Sequence, residues 1–262
     1  MGKLSRKPEY PGETPVRRGY VKKEYLDWNK IWIHYEPLHY TDVRAAPERK
    51  VGEIKWHRNV AGDERRSYEG RYEIRNQLPL IPCGRTGLNG RGLLDKYGPN
   101  HAALPIITRI AKDENGADVI AAGKPVFEVL LELRGEITSL PEIKGIYDDP
   151  LPAEVRQLLT SEEHLAPSDE LSRDKLVKRI EKIFKAGILI YRGFLDSEYN
   201  TDSSWFEAII VSYHDTNNNA FHNVKFAEDS KYRWSRITNL TSIASMYRDC
   251  LQKAFYARHG YV

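Results

Sequence analysis

Residues 84–109, GRTGLNGRGLLDKYGPNHAALPIITR, constrain the fold of this chain more than any other segment. Five glycines and two arginines lie within the sixteen residues from Gly84 to Pro99. Glycine takes positive φ and lets the backbone approach a partner closely, and the planar guanidinium groups of Arg85 and Arg91 suit phosphate or carboxylate. The segment is therefore either a binding loop or a long structural loop whose arginines pair with nearby acids. Composition by itself favours the structural loop.

The bulk composition excludes several classes of protein. The chain has 262 residues, of which 40% are hydrophobic and 29% charged, as in ordinary globular domains. Its net charge of +3 is too small and too evenly spread to indicate a nucleic-acid surface. The two cysteines, Cys83 and Cys250, provide neither a disulfide framework nor metal-ligand spacing. We therefore expect a reducing compartment and no nucleic-acid partner.

The distribution of apolar residues argues against a membrane protein. The longest apolar runs, such as Val129–Leu131 and Ile188–Tyr191, have the length of strands rather than of a membrane span. The N-terminal segment is basic but contains no hydrophobic stretch, which excludes a secretory signal. It is poor in serine and contains Glu9 and Glu13, which counts against a mitochondrial presequence. The sequence predicts a cytoplasmic protein and disfavours the mitochondrion.

Hydrophobic periodicity predicts the regular elements. Aromatic residues in rough alternation over residues 28–40 indicate a strand that Pro37 interrupts. We expect Ser168 to cap the helix that follows it and Gly187 to end that helix. Further strands are predicted over residues 124–133, 188–194, 206–213 and 232–237, and helices over residues 152–165, 169–186 and 243–255.

The order of these elements predicts two domains. Helices interleave with strands in the second half of the chain, whereas the first 110 residues are aromatic and rich in loops. This order indicates a smaller N-terminal lobe at residues 1–120, which contributes the Gly/Arg-rich segment. A mixed α/β core domain is predicted at residues 121–262.

Long strings in a fixed order give the chain a family resemblance. The first set is Gly84–Leu88, Gly90–Gly92 and Gly98–His101. The second set comprises Gly193, Phe194, Asp196, Asn200, Thr201, Asp202, Trp205, Glu207 and Tyr213–Asp215. In this order and spacing, over roughly residues 8–258, the chain resembles the ADP-ribose pyrophosphatase branch of the Nudix hydrolases. The resemblance implies a Nudix α/β/α sandwich with a mixed sheet and a smaller N-terminal lobe. It also implies ADP-ribose or a similar nucleoside diphosphate derivative as the ligand.

The resemblance further implies a set of site residues. The substrate-binding positions it indicates are Arg85, Arg91, Asn100, His101, Asp196, Tyr199 and Asn200. The chain departs from the family pattern just before the Asn-Thr-Asp string, where the family's acid and arginine fall on Ser197 and Tyr199. A second family histidine falls on Met246. These departures weaken the expectation that the ligand is ADP-ribose itself.

The catalytic box of the family is degenerate in this chain. Nudix enzymes hold Mg²⁺ with glutamates of the motif G-x5-E-x7-R-E-U-x-E-E-x-G-U, where U is apolar, because glutamates at i, i+3 and i+4 share one helix face. An ungapped register from Leu140-Pro141 places Asp149 on the first glutamate and residues 157–162, QLLTSE, on the R-E-U-x-E-E core. A shift of one residue recovers Glu162 and Glu163 but puts Leu159 on the first core glutamate. Neither register restores the full metal site.

Two functions remain open on this reasoning. The first is recognition of a nucleoside diphosphate derivative with weak or absent hydrolysis. The second is an active hydrolase that uses Mg²⁺ or Mn²⁺ to release AMP and a sugar phosphate. Its candidate catalytic residues are Glu162 and Glu163, and its candidate metal ligands are Asp149, Glu162, Glu207 and Glu142. Packing of Val155, Leu158 and Leu159 against a sheet is the simpler interpretation of the box helix, and it favours the first function.

Overall fold

A computed structural model describes residues 7–13, 15–45, 47–60, 63–134, 137–144, 147–168, 171–237 and 245–259. Within these ranges the α-helices are α1 (Ala153–Thr160), α2 (Arg173–Lys185) and α3 (Ser245–His259), with short 3-10 helices at Lys23–Tyr25, Val51–Glu53 and Phe221–Asn223. None of the helices in these ranges is long and apolar enough to cross a membrane.

The strands are mostly short. They are β1 (Glu9–Tyr10), β2 (Val16–Arg17), β3 (Leu38–Thr41), β4 (Asn59–Val60), β5 (Asp63–Glu64), β6 (Ile74–Arg75), β7 (Leu78–Pro79), β8 (Leu88–Gly92), β9 (Gly98–Ala103), β10 (Ile106–Ile110), β11 (Ile120–Ala121), β12 (Lys124–Pro125), β13 (Phe127–Arg134), β14 (Ile137–Ser139), β15 (Ile143–Lys144), β16 (Ile188–Phe194), β17 (Ser204–His214) and β18 (Tyr232–Arg236).

Packing divides the described residues into two units that interleave along the chain. The first unit comprises the residues up to Ala102 together with Lys144–Tyr147 and Arg192–Ala208. The second comprises Ala103–Ile143, Asp148–Tyr191 and the residues from Ile209 onward. The sequence predicts a boundary between two domains at residue 120. The packing units do not test this boundary, so it stays a prediction.

The first unit consists of short paired strands around aromatic clusters. Strand β3 runs parallel to β8, with Leu38 opposite Leu88, and β1–β2, β4–β5 and β6–β7 form antiparallel pairs. Gly90 of β8, at φ 88°, lies so close to β3 that a Cβ atom on it would stand 2.2 Å from the carbonyl oxygen of Tyr40. Only glycine tolerates both this conformation and this approach. One aromatic cluster contains Trp205, Tyr72 and Ile81, and the other contains Tyr10, Val16 and Leu88.

The second unit contains a mixed sheet. Strand β13 pairs antiparallel with β10, β14 and β18, whereas β10 pairs parallel with the second half of β17 through Ile106 and Ser212. The inner positions are occupied by Ile106, Ile107, Val129, Leu130 and Leu131, which are fully buried or nearly so. The mixed sheet that the resemblance implied is therefore present.

Helices cover both faces of this sheet. Adjacent residues of a strand point to opposite faces of its sheet, so the side chains of Ser212 and Tyr213 in β17 lie on different faces. The ring of Tyr213 contacts Phe184 of α2, with centroids 5.6 Å apart, whereas the hydroxyl of Ser212 accepts a hydrogen bond from Nε of Arg258 in α3 at 3.2 Å. Helices α2 and α3 thus lie on opposite faces, and the predicted α/β/α arrangement is confirmed within this unit.

Most of the predicted elements are present, with corrections at their ends. Strand β16 has the predicted bounds, β17 contains the predicted strand at 206–213, and β18 ends at Arg236, one residue before the predicted end at 237. Helix α2 begins at Arg173, so Ser172 and not Ser168 is its N-cap residue; residues 169–170 lie outside the described ranges. The backbone of Ser172 is extended, as an N-cap requires. Helix α3 buries Cys250, Leu251, Ala254 and Phe255, as its periodicity predicted, and residues 243–244 are not described.

The strand predicted over residues 28–40 is wrong for most of its length. Only Leu38–Thr41 is a strand, and residues 27–34 form turns. The ring of Tyr35 contacts those of Trp28 and Trp32, with centroids 6.0 and 5.1 Å apart. These aromatics are spaced four and three residues apart, which brings their rings together across turns. A strand would instead place them at alternate positions.

Candidate functional site

A stack of aromatic and guanidinium groups in the first unit surrounds the predicted ligand residue His101. The rings of Tyr68 and Tyr147 lie nearly parallel with centroids 4.8 Å apart, and His101 meets both edge-on at 5.2 Å. Cζ of Arg66 stands 4.2 Å from the centroid of Tyr147, and Cζ of Arg192 stands 5.6 Å from that of Tyr68. We call these five residues the His101 cluster. The four residues other than His101 are at least partly exposed, and the guanidinium of Arg66 is already paired with the carboxylate of Glu64, with Nε and Oε1 3.1 Å apart.

The carboxylate of Glu207 holds one side of this cluster in place. It is fully buried, and it accepts hydrogen bonds from the backbone N–H of Tyr68 at 2.5 Å, from Oγ of Ser67 at 2.5 Å and from Nε1 of Trp205 at 2.8 Å. Burial raises the pKa of Glu207. A carboxylate engaged by three donors has little capacity left for a metal ion, so the structure gives Glu207 a role in positioning Tyr68.

His101 is neutral and buried. Its Nε2 atom lies 2.9 Å from the carbonyl oxygen of Arg66, so Nε2 carries the proton and Nδ1 is an acceptor. Burial, aided by the charge of Lys96, lowers the pKa of His101 to about 3. Within the described ranges Nδ1 has no hydrogen-bond partner. His101 therefore orients Tyr68 and Tyr147 through ring contacts, and it carries no charge at neutral pH.

Arg85 of the glycine-rich segment is engaged by backbone carbonyl groups. Its guanidinium donates to the oxygens of Tyr25 and Asp27 at 2.6 Å and of Lys30 at 2.9 Å. It also stacks on Trp28 and Tyr35, and it lines a cavity of about 210 Å³ that these rings share. The geometry makes Arg85 a structural residue, and its contact with a ligand stays a prediction.

The other arginine of the segment behaves in the same way. Arg91 is buried, and its Nη1 atom donates to the carbonyl oxygen of Asp95. Its backbone N–H donates to Oγ1 of Thr41 at 3.1 Å. Arg85 and Arg91 thus bind backbone oxygens, whereas Arg109, at the end of the segment, forms an ion pair with Glu128, with Nε and Oε2 2.7 Å apart.

The remaining predicted substrate residues divide by exposure. Asn100 and Asn200 are buried, and their amides bind loop backbone, as when Asn200 donates to Leu195 O at 2.9 Å and accepts from Phe206 N at 2.8 Å. Asp196 is half-buried. Tyr199 is 37% exposed, and its ring meets Tyr10 edge-on at 6.4 Å. Asp196 and Tyr199 are therefore the accessible members of the set, and a ligand-binding role for any member stays a prediction.

Comparison with known proteins identifies the family. The chain is 32% identical over 254 residues to "ADP-ribose pyrophosphatase, mitochondrial" of Rattus norvegicus, which covers 90% of this chain and 72% of that protein. It belongs to the ADP-ribose pyrophosphatase family of Nudix proteins. The family described as "NUDT9-like, N-terminal domain" matches residues 21–98, which include most of the glycine-rich segment.

Further relatives of this Nudix chain differ widely in size. It is 29% identical over 268 residues to "Transient receptor potential cation channel subfamily M member-like 2" of Nematostella vectensis, where the match covers 95% of this chain. The chain spans only 17% of the length of that channel. It is 28% identical over 227 residues to "Putative nudix hydrolase 6" of Caenorhabditis elegans, covering 77% of this chain and 75% of that protein.

The box helix of this Nudix chain is shorter than predicted. Helix α1 ends at Thr160, not at residue 165, so Glu162 and Glu163 lie beyond it. The backbone of Ser161 is extended. Nδ1 of His164 lies 3.0 Å from the carbonyl oxygen of Leu158, which gives this carbonyl group of the last helical turn a hydrogen-bond partner. The spacing rule that places box glutamates on one helix face therefore does not apply to Glu162 and Glu163.

The acids of the box region have ordinary surface environments. Glu162 is exposed and forms an ion pair with Arg173, and Glu163 is exposed. Oδ1 of Asp149 accepts from the N–H of Leu151 at 3.1 Å in a local turn.

Neither register of the box motif provides a metal-facing acid on helix α1. In the ungapped register the first core glutamate falls on Leu158, which is half-buried, and in the shifted register it falls on Leu159, which is fully buried. The side chain of Leu159 lies in the apolar core, and a glutamate at this position would lose the hydration of its carboxylate.

The residues present do not fit a divalent-metal centre. Mg²⁺ requires several oxygen ligands in near-octahedral geometry. In the described part of the chain no group of three or more His, Cys, Asp or Glu side chains could hold a metal ion. Glu142 contacts the Tyr247 hydroxyl at 3.4 Å, and Glu207 is engaged as described above. The roles of Asp149, Glu162 and Glu207 as metal ligands stay predictions.

The sequence analysis missed Arg66, Tyr68, Tyr147 and Arg192. A signal was available in the string RRSYEGRY at 65–72, which interleaves basic and aromatic residues as ligand-binding surfaces often do. Tyr147 and Arg192 lie far from this string in sequence, so only the fold brings them to Tyr68 and Arg66.

Proposed function

We propose that this Nudix protein recognises ADP-ribose or a related nucleoside diphosphate derivative and hydrolyses it weakly or not at all. Family membership supports the ligand class. The position of Glu162 and Glu163 beyond the end of α1 supports the weak hydrolysis, because a box helix without carboxylates at the core-glutamate positions cannot assemble a metal clamp on the pyrophosphate.

The His101 cluster is the surface that would contact the nucleotide. Aromatic faces stack on bases irrespective of sequence, and guanidinium groups bind phosphate bidentately. Tyr68 and Tyr147 supply the first chemistry, and Arg192 supplies the second. Arg66 would add to it by exchanging its ion pair with Glu64 for one with phosphate. His101 and Glu207 act as positioning residues behind them.

The alternative is an active, divergent hydrolase that cleaves ADP-ribose-like substrates to AMP and a sugar phosphate. The family relationship favours it. It would use Mg²⁺ or Mn²⁺ held by Asp149, Glu162 and Glu207, with Glu162 or Glu163 as the catalytic acid. The contacts of these side chains described above do not support it.

Product release separates the two functions. Purified protein is incubated with ADP-ribose and Mg²⁺ or Mn²⁺, and AMP is quantified by chromatography. We expect no release above that of a heat-inactivated sample. Turnover that disappears in both Glu162→Gln and Glu163→Gln would establish the hydrolase and contradict our proposal.

Calorimetry tests the ligand class and the proposed surface. We expect ADP-ribose to bind the wild type, and Tyr68→Ala to weaken the Kd about tenfold, since stacking on one base contributes about 1–3 kcal/mol. Arg71→Gln, which removes an exposed charge outside the cluster, is the matched control. Equal affinities in all three proteins would place the nucleotide elsewhere, and no binding to the wild type would reject the ligand class.

The compartment is also a proposal. The charge and apolar pattern support a cytoplasmic location, whereas the rat relative carries the word mitochondrial in its name. Fluorescence microscopy of the tagged chain with a mitochondrial marker tests this, and co-localisation with the marker would overturn it.

A further inference from the structure

A buried arginine of the first unit lines a small pocket. Arg18 is 8% exposed, and with Arg17, Gly19, Tyr20 and Thr86 it lines a cavity of about 290 Å³. This volume lies near the lower end, about 300 Å³, of pockets that hold small molecules. None of the residues lining this cavity belongs to the His101 cluster, so the pocket is a separate feature of the unit.

The guanidinium of Arg18 is fixed but incompletely bonded. It stacks on Tyr10, with Cζ 5.0 Å from the ring centroid, and Nη2 donates to the carbonyl oxygen of Glu198 at 2.5 Å. Its Nη1 atom is buried and has no hydrogen-bond partner in the part of the chain that the structure describes. A buried charged donor without an acceptor is costly, so an acceptor from outside the chain would stabilise it.

The two acids whose charges act on Arg18 are committed to other groups. The carboxylate of Asp202 accepts from the hydroxyl of Tyr35 at 2.6 Å and from Thr86 N–H and Oγ1 at 2.6 and 2.8 Å. The carboxylate of Glu198 pairs with Lys7 at 2.6 Å. Burial raises the pKa of Asp202. The positive charge in the pocket wall is therefore not balanced by a direct ion pair with either acid.

We propose that this pocket binds a phosphate group, either inorganic phosphate or the phosphate of a small ester. Arg18 offers a rigid planar fork in the wall, and the adjacent Arg17, which is exposed, adds a second positive charge. Two guanidinium groups suit a dianion better than a carboxylate, because a phosphate ester carries about −1.5 to −2 charges at neutral pH. The proposal is independent of the function proposed for the His101 cluster.

Calorimetric titration with inorganic phosphate in a phosphate-free buffer of constant ionic strength tests the site. We expect binding to the wild type, with the Kd weakened about tenfold by Arg18→Lys, which keeps the charge but loses the fork. Arg17→Gln should weaken it less, and Arg71→Gln should leave it unchanged. Thermal unfolding establishes that each variant is folded, and if Arg18→Lys does not fold, the exposed Arg17→Gln provides the test.

Two results would overturn the proposal: no phosphate binding to the folded wild type, or the same affinity in Arg17→Gln, Arg71→Gln and wild type. A second titration in saturating ADP-ribose distinguishes the sources of the phosphate. Loss of phosphate binding would identify the nucleotide as the natural occupant, and unchanged binding would identify a separate small phosphate. Failure of ADP-ribose to bind at all would reject the function proposed above without affecting this site.

Discussion

The glycine-rich segment at 84–109 and the box segment at 141–163 use polar residues in opposite ways. In the first, the side chains of Arg85, Arg91 and Asn100 are buried and bound to backbone oxygens. In the second, Glu162 and Glu163 remain at the surface, and the apolar residues Val155 and Leu159 are buried. The polar side chains of the glycine-rich segment therefore stabilise its loops, whereas the buried side chains of the box segment are apolar.

This difference bears on how ligand residues are recognised. A side chain whose donors are satisfied by the protein is available to a ligand only if it breaks those bonds, which costs free energy. Arg85 and Glu207 belong to this kind. Tyr68, Tyr147 and Arg192 are partly exposed, and none of them lies in the strings that identified the family.

The largest effect is expected where the polar architecture of the glycine-rich segment is removed. Arg85→Met should lower the free energy of unfolding by about 4 kcal/mol, because three carbonyl groups lose a buried charged donor at about 1–3 kcal/mol each. Denaturant unfolding measures this. Arg71→Met, at an exposed position, should change stability by less than about 0.5 kcal/mol. A similar small loss for Arg85→Met would show that Arg85 is held for a ligand rather than for the fold.

A substitution that disturbs the close approach of β8 to β3 should lower the free energy of unfolding somewhat less. Gly90→Ala should lower the free energy of unfolding by about 3 kcal/mol, from left-handed strain and from the displacement of Tyr40. Gly116 provides a matched control, because its φ is 82° but no atom lies within 4 Å of the added Cβ. Gly116→Ala should cost about 1 kcal/mol. Equal losses in thermal or chemical unfolding would mean that strain alone matters and that the approach to β3 does not.

His101 should make stability depend on pH. Its pKa is about 3 in the folded protein against 6.5 ordinarily, so between these values the unfolded chain binds more protons and stability falls as pH falls. The contribution of His101 should approach about 1.4 kcal/mol per pH unit in that window and vanish above it. Comparison of wild type with His101→Gln isolates this slope, because Asp202 and Glu207, whose raised pKa values act in the opposite direction, are present in both.

Parallel pH dependences of unfolding in the wild type and His101→Gln would contradict the burial of a neutral His101. The titration would then be assigned to other groups of the first unit.

The smallest effect is expected at the box acids. Glu162→Gln should change the free energy of unfolding by less than about 0.5 kcal/mol, since its ion pair with Arg173 is exposed to solvent. Chemical unfolding at low salt gives the most sensitive measurement. A loss above about 1 kcal/mol would show that Glu162 is part of a built site, and it would remove the contrast with the glycine-rich segment.

Sequence reasoning predicted the fold class and most elements. The periodicity of α2 and α3 and the apolar run of β17 were sufficient, because the helices bury one apolar stripe each and β17 is buried on both faces. It failed at Trp28–Tyr40, where aromatic residues cluster across turns. It also failed at the end of α1, where the ring of His164 and the extended backbone of Ser161 stop the helix before the acids.

The candidate site was predicted only in part. His101 and Glu207 were identified through the family strings, and both contact Tyr68 in the structure; their roles as ligand and metal contacts stay predictions. Arg66, Tyr68, Tyr147 and Arg192 come from three separate segments, and no periodic pattern links them. The sequence by itself determined the family and the sheet, because these depend on residue types and spacing along the chain, and the loss of the box glutamates stays a prediction. Only the tertiary structure decided which polar groups remain open to a ligand, because that depends on which donors and acceptors distant segments have already satisfied.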